Sequence, residues 1–212
     1  MSAVRVVGAR DRTRALQAAA LCLNYPDQQL LDDLPLLTRT ASVLPSPAGA
    51  PLSRFVEHLA FTEPMELARD YVATFDLQRR CCLHLTYYAH GDTRKRSMAL
   101  LRFTNAYRAA GLTLARGELP DHLGLVCEVA ARVPETGLEL LRDNRAAIEL
   151  LRMSLAEAKS AYAEVLDMIR AVLPELAPRD LDQALQLARS GPPAEEVGLE
   201  PFAPPEYMGG RR

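Results

Sequence analysis

Asn144–Leu173, NRAAIELLRMSLAEAKSAYAEVLDMIRAVL, is the stretch on which the fold turns. Within it Ile148, Leu151, Leu155, Ala158, Tyr162, Val165, Ile169 and Val172 recur at alternating steps of three and four, the period of one apolar helical stripe. As a single helix it would be about 45 Å long, roughly the width of a domain of this size. Such a seam suits either a coiled coil or the central helix of a bundle. The helical stripes on both sides of it favour the bundle.

Toward the N-terminus, Leu16, Ala19, Ala20 and Leu23 mark a buried stripe that stops at Asn24-Tyr25-Pro26. Asp27 can cap a short helix from Gln28 to Asp33, and Pro35 either kinks it or opens another. Pro45, Pro47, Gly49 and Pro51 read as a loop, followed by the stripe Leu52, Phe55, Val56 and Leu59. Thr62 and Pro64 open a helix with Ala68, Tyr71, Val72 and Phe75 on one face. Leu83, Leu85 and Tyr87 alternate with polar or aromatic neighbours, so this part reads as an extended piece packed on helices, with no ladder partner elsewhere. After Gly91-Asp92, the residues Leu100, Phe103, Tyr107 and Ala110 face inward, and Gly111 is the stop. Pro120-Asp121 begins another helix, Pro174 and Pro178 end the long one, and Leu181–Arg189 closes the folded part.

The expected fold is therefore all-α: a single-domain bundle of roughly eight to ten helices around a long central one. Residues 1–11 read as a flexible N-terminus and 12–190 as the helical domain. Residues 191–212, with five prolines and four glycines, read as a tail that is disordered or strapped over the surface.

Composition narrows the function. The 212 residues carry a net charge of −2, 49% apolar and 25% charged residues, the balance of a soluble globular protein. A charge so near zero supplies no field for holding phosphates, which argues against nucleic acid. No apolar run reaches the 18 or so residues of a membrane span. The start of the chain shows no export signal, and Cys22, Cys81, Cys82 and Cys127 form no ladder of spacings. Reduced thiols in a cytoplasmic protein are expected.

No GxGxxG, Walker A loop, HExxH or GxSxG is present, and no histidine follows a Glu at the spacing of a di-iron bundle. Cys81, Cys82, His84 and His90 match no zinc spacing, so neither a metal nor a cofactor is expected. Glu118-Leu119-Pro120-Asp121-His122 has two readings. Asp121 could cap the following helix, or two carboxylates and an imidazole could stand at the mouth of a cleft and hold the N–H groups or cations of a bound segment. Arg94-Lys95-Arg96 is unusual because cations in a first helical turn oppose the macrodipole. It is either a solvated face or a basic patch awaiting an acidic partner.

Four strings in order, Leu23-Asn24-Tyr25-Pro26-Asp27, Tyr71-Val72-Ala73-Thr74-Phe75-Asp76, His90-Gly91-Asp92-Thr93-Arg94-Lys95-Arg96 and Glu118-Leu119-Pro120-Asp121-His122-Leu123, resemble the NarJ family, within the broader TorD-like chaperones for molybdoenzymes. The last is the most specific, and the likeness covers roughly residues 12 to 189. The resemblance implies an all-α, cytoplasmic, non-catalytic assembly chaperone. Its partner would be the apo catalytic subunit of respiratory nitrate reductase, held by its N-terminal segment, with proteins of molybdenum cofactor biosynthesis as further partners. Glu118, Pro120, Asp121 and His122 occupy the hallmark motif, and His90, Gly91, Arg94 and Arg96 the second signature. Tyr87-Tyr88 and Ser97 depart from the family pattern, which often has Glu-His and Gly there.

On this reading a trough lined by Tyr71, Phe75, Leu83, Tyr87 and Leu123 takes an amphipathic segment. Asp121 and His122 stand at its rim, and Tyr88, Arg94, Arg96 and Glu118 nearby. The alternatives are a chaperone for another molybdoenzyme of the superfamily and a helical regulatory or DNA-binding protein.

Overall fold

Helix α1 (Ala9–Cys22) sits at the centre of the molecule. Ala15, Leu16, Ala18, Ala19, Ala20 and Cys22 are all buried, so more than the expected single stripe is covered. The alanines explain this: from Ala15 to Cys22 small side chains let neighbours approach from several sides, while the polar half from Arg10 to Arg14 is at most partly buried. The computed structural model describes residues 7–190 apart from Asp92, Arg116 and Leu176, so the reading of 191–212 as a tail lies outside the described residues. Helix α1 starts inside the 1–11 stretch expected to be flexible.

Around α1 run α2 (Gln28–Asp32), α3 (Leu34–Val43), α4 (Ser46–Phe61), α5 (Pro64–Tyr71), α6 (Leu85–His90), α7 (Arg94–Ala109), α8 (Leu123–Arg132), α9 (Pro134–Asp143), α10 (Arg145–Glu157), α11 (Tyr162–Val172) and α12 (Pro178–Ser190). That makes twelve α-helices among the described residues, more than the eight to ten expected. A π-helical turn (Val72–Asp76) and a 3₁₀ turn (Arg79–Cys81) link α5 to α6. Helix α1 packs on α8, α11 and α3, while α4 covers α11 and α3. Helix α10 carries α12 on one side and α6 on another. Asp27 caps α2 through the Leu30 N–H at 3.1 Å, as read from the sequence. Pro35 opens α3 rather than kinking its predecessor.

The long central helix does not form. The 144–173 stretch is two helices, broken where Lys159 takes φ +56°. The Lys159 N–H donates to the Ala156 carbonyl at 3.1 Å and the Ser160 N–H to the Leu155 carbonyl at 3.0 Å. These two bonds are a Schellman closure, normally made with glycine at the left-handed position. With lysine there, no stop was visible in the sequence. The apolar seam survives because each half buries its own part: Ile148, Leu151 and Leu155 on α10, then Tyr162, Val165, Ile169 and Val172 on α11. The break frees α11 to pack on α1 and α4, and that burial outweighs the strain of one left-handed lysine, on the order of 1 kcal/mol.

Two local expectations also change. The Pro45–Pro51 stretch belongs to α4 from Ser46 onward, since Pro47 lies where the first N–H groups lack intrahelical partners anyway. The π-helical turn after α5 rotates the face, leaving Val72 exposed while Phe75 is buried. And α8 packs on α9 with almost no gap: a Cβ at Gly137 would lie 2.2 Å from the Ala130 backbone.

Candidate functional site

The Asp76–Asp92 region resolves into an extended piece followed by a helix. Leu85 N–H donates to the Asp121 carbonyl at 3.0 Å and Leu123 N–H to the Leu83 carbonyl at 2.9 Å, pairing His84 and His122 in one antiparallel bridge. The expected lack of a ladder partner is thus corrected: the partner is the E-L-P-D-H-L segment. From Leu85 the chain coils into α6, so Tyr87 and Tyr88 lie on a helix rather than an extended strand. Both are buried, which an extended pair facing opposite ways would not explain. Tyr88 Oη donates to the carbonyls of Cys82 and Arg80, at 2.8 and 3.1 Å.

Asp121 is the hub. Its side chain is fully buried and accepts from the Thr86 N–H at 3.1 Å, the Thr86 hydroxyl at 2.5 Å and His84 Nδ1 at 3.1 Å. Asp121 therefore caps a helix, but not the one that follows it. It caps the first turn of α6, some 35 residues earlier in the chain, whereas α8 starts after His122 with no side-chain cap. Burial alone would raise the Asp121 carboxyl; the bonds from His84 and Thr86 prevail and hold it below its ordinary value.

Arg96 completes the cluster. Its Nε donates to the Thr86 hydroxyl oxygen at 3.3 Å, its terminal nitrogen lies 3.8 Å from Asp121, and its guanidinium stands 6.0 Å from the Tyr87 ring centre. The chain can return for these contacts because Gly91 adopts φ +54° at the end of α6, a conformation only glycine takes readily. Tyr107 Oη holds the motif from behind, donating to the Pro120 carbonyl at 2.7 Å.

His122 begins α8 with its ring against Gly124 and edge-on to His84, centroids 5.5 Å apart. Burial, with the neighbouring His84 adding to it, pushes its pKa down to about 4 despite the opposing pull of Asp121, so the ring is neutral near pH 7.

Beside this cluster opens a cleft of about 290 Å³, lined by Ala20, Asn24, His84, Glu118, Leu119, His122, Gly124, Leu125 and Glu128. The hallmark motif divides across its wall. Glu118 and Leu119 are exposed at the opening, His122 forms the side, and Asp121 and Leu123 are buried behind.

The expected trough is not one open surface. Leu83 and Leu123 are core, and Tyr87 is covered by the Arg96 guanidinium. Tyr71 and Phe75 pack in an aromatic cluster with Tyr25 and Tyr162, and Tyr71 Oη donates to the Leu23 carbonyl at 3.1 Å. Arg94 is exposed on α7, turned away from Arg96. Sequence neighbourhood groups these residues, whereas packing sorts them by which helix each one rides. His84, Thr86, Asn24, Leu125 and Glu128 were not among the expected site residues. The sequence signs were the polar alternation at His84 and Thr86 and the place of Asn24 in the Leu23–Asp27 string.

Among the described residues no three His, Cys, Asp or Glu side chains converge as a metal site. Burial pushes the Cys22 thiol up to about 12, and it raises Cys81 and Cys127 as well, which suits cysteines used as small apolar side chains. No described helix is long and apolar enough to cross a membrane.

Fold and site together define a helical protein with a rigid, internally bonded motif facing a small mixed cleft. The chain belongs to the nitrate reductase delta subunit family, whose model matches residues 42–167. Over 148 residues it is 40% identical to the nitrate reductase-like protein NarX of Mycobacterium tuberculosis, covering 69% of this chain and 22% of NarX. Over 151 residues it is 30% identical to the nitrate reductase molybdenum cofactor assembly chaperone NarJ of Escherichia coli, covering 69% of this chain and 64% of NarJ. The chain thus spans about a fifth of the first relative and just under two thirds of the second. A crystal structure described as a candidate redox enzyme maturation protein from Archaeoglobus fulgidus shares the fold, with TM-score 0.56 and 22% identity over 74% of this chain and 91% of that one. The family resemblance carried by the four sequence strings is borne out.

Proposed function

We propose that this chain is a system-specific assembly chaperone for a respiratory nitrate reductase, performing no reaction of its own. It binds the apo catalytic subunit in the cytoplasm, chiefly through that subunit's N-terminal segment. It keeps the subunit competent for molybdenum cofactor insertion and membrane docking. Family membership supports the class, and the cleft beside the E-L-P-D-H-L turn supports the place.

The cleft's 290 Å³ lies at the lower edge of ligand pockets, typically about 300–1,000 Å³. It suits one or two anchoring side chains of a segment better than a whole helix. Ala20, Leu119, Gly124 and Leu125 offer apolar wall, while Glu118, Glu128 and Asn24 can accept from N–H groups or cations. Burying one Leu or Phe anchor contributes about 1.5–3 kcal/mol before the cost of ordering the segment. Such modest binding is what a chaperone that must release its client requires.

Two measurements test this. First, the nitrate reductase large subunit is expected to co-purify with this chain from nitrate-grown cells only while its N-terminal residues are present. Recovery without them would refute the segment assignment, and no recovery in either form would refute the chaperone reading. Second, a Glu118→Gln, Leu119→Ala variant alters only exposed side chains, so folding should persist while calorimetric affinity for the N-terminal peptide drops about tenfold, equivalent to roughly 1.4 kcal/mol. Undiminished affinity would remove the cleft from the client site.

A further inference from the structure

A second cavity, of about 520 Å³, exceeds the 290 Å³ cleft and plays no part in the site described above. It falls within the range of ligand pockets, typically about 300–1,000 Å³. Interrupted helices supply both of its sides. Asp70, Thr74 and Gln78 come from α5, the π-helical turn and the link beyond it, while Ala158, Lys159 and Tyr162 come from the α10–α11 break. Single π-helical turns recur at functional sites.

Tyr162 is the unusual part of the wall. It is 3% exposed, and its ring packs on Phe55, Tyr71 and Phe75 at centroid distances of 5.1, 5.8 and 4.7 Å. Its buried hydroxyl has no hydrogen-bond partner among the described residues. A hydroxyl left unsatisfied in the interior costs stability. Phenylalanine would fill the same place without that cost. The hydroxyl therefore calls for an acceptor brought from outside the chain.

The remaining polar groups set the class of ligand. Arg54 already holds Glu164 through bonds of 2.8 and 2.6 Å. That leaves Asp70 and Lys159, both exposed, as one lining charge of each sign. Such a pair exerts little net pull on an ion. Thr74 and Gln78 can each donate and accept. A neutral group that carries a donor and an acceptor side by side matches this set, and the peptide group is the commonest of that kind.

A surface track joins the cavity to the first cleft. Asn24 lines that cleft, and Tyr25 beside it is 51% exposed. The Tyr25 ring meets Tyr71 at 5.5 Å, Tyr71 meets Tyr162 at 5.8 Å, and Asp70 precedes Tyr71 in the chain. A handful of extended residues, at about 3.3 Å each, covers that path. On the client reading given above, we propose that this cavity is a second subsite for the same segment. It takes a peptide or side-chain carboxamide group, whose carbonyl accepts from the Thr74 or Tyr162 hydroxyl and whose N–H donates to Asp70.

Titration calorimetry of the full chain tests this, with the nitrate reductase N-terminal peptide used whole and shortened stepwise from either end. Ala158 is exposed on the cavity wall, so Ala158→Trp fills the space without disturbing the core. It is expected to weaken binding of the whole peptide about tenfold and to leave the shortest peptide that still binds unaffected. Tyr162→Phe removes a hydroxyl that has no partner. That variant is expected to unfold at a temperature no lower than the parent chain, yet to bind the whole peptide several-fold more weakly. Unchanged whole-peptide affinity in either variant would overturn the proposal and leave the client reading standing. Equal losses at every peptide length would overturn it too, by assigning the effect to the first cleft. A parent chain that binds no peptide would refute the client reading itself, and the second subsite with it.

Discussion

Replacing Asp121 by alanine separates the possible roles of the hallmark motif by magnitude. The substitution strips the acceptor from the Thr86 N–H, the Thr86 hydroxyl and His84 Nδ1, now bonded at 3.1, 2.5 and 3.1 Å, and takes the counter-charge from Arg96 at 3.8 Å. A hydrogen bond to a charged group contributes about 1.5–3 kcal/mol, and each buried donor left unsatisfied costs about 1–3. These terms overlap, and opening a buried pair from one side typically costs about 3–5 kcal/mol in total. An ordinary helix cap is worth only about 1 kcal/mol. Urea unfolding followed by circular dichroism should therefore show a loss near 3–5 kcal/mol with an unchanged denaturant slope. A Thr86→Val partner in a double-mutant cycle should couple to it by about 1–3 kcal/mol. A loss of about 1 kcal/mol or less with additive effects would refute the account, leaving Asp121 a local cap or a client contact.

The buried ring of His122 makes stability depend on pH. Its pKa is about 4 when folded against an ordinary 6.5, so below pH 6.5 the unfolded chain takes up a proton that the folded one refuses. Stability contributed by this group is complete above pH 6.5 and is lost as pH falls toward 4, by about 2 kcal/mol at pH 5 and about 3 in all. A His122→Gln variant should show a correspondingly flatter profile between pH 7 and 5 in denaturant titrations; identical profiles would contradict the burial argument. Asp121, held below its ordinary 3.8, acts outside that window. At the α8–α9 crossing, Gly137→Ala places a methyl group 2.2 Å from the Ala130 backbone, which flexible side chains cannot relieve. Thermal unfolding should register a loss of about 3 kcal/mol, well beyond the helix-propensity gain of up to 1; an equally stable variant would mean the helices part freely.

The sequence by itself determined that the protein is helical and picked out much of its apolar core, though Val72 and Ala158 of the expected stripes are exposed. Leu16, Leu52, Phe55, Leu59, Ile148 and Val165 are all buried as their spacing required. Spacing carries this because a helix's buried face is a local property, repeated every three to four residues. The resemblance also singled out the motif that walls the cleft. Only the tertiary structure decided where the long stripe breaks, since Lys159 takes a left-handed turn that no glycine announced. It likewise decided that Tyr71 and Phe75 join a ring cluster with Tyr162, and that Asp121 caps α6 instead of its own helix. Those outcomes depend on which distant segments meet, and a carboxylate's bonding partner 35 residues away is set by the packing that buries both, leaving no periodic trace in the chain.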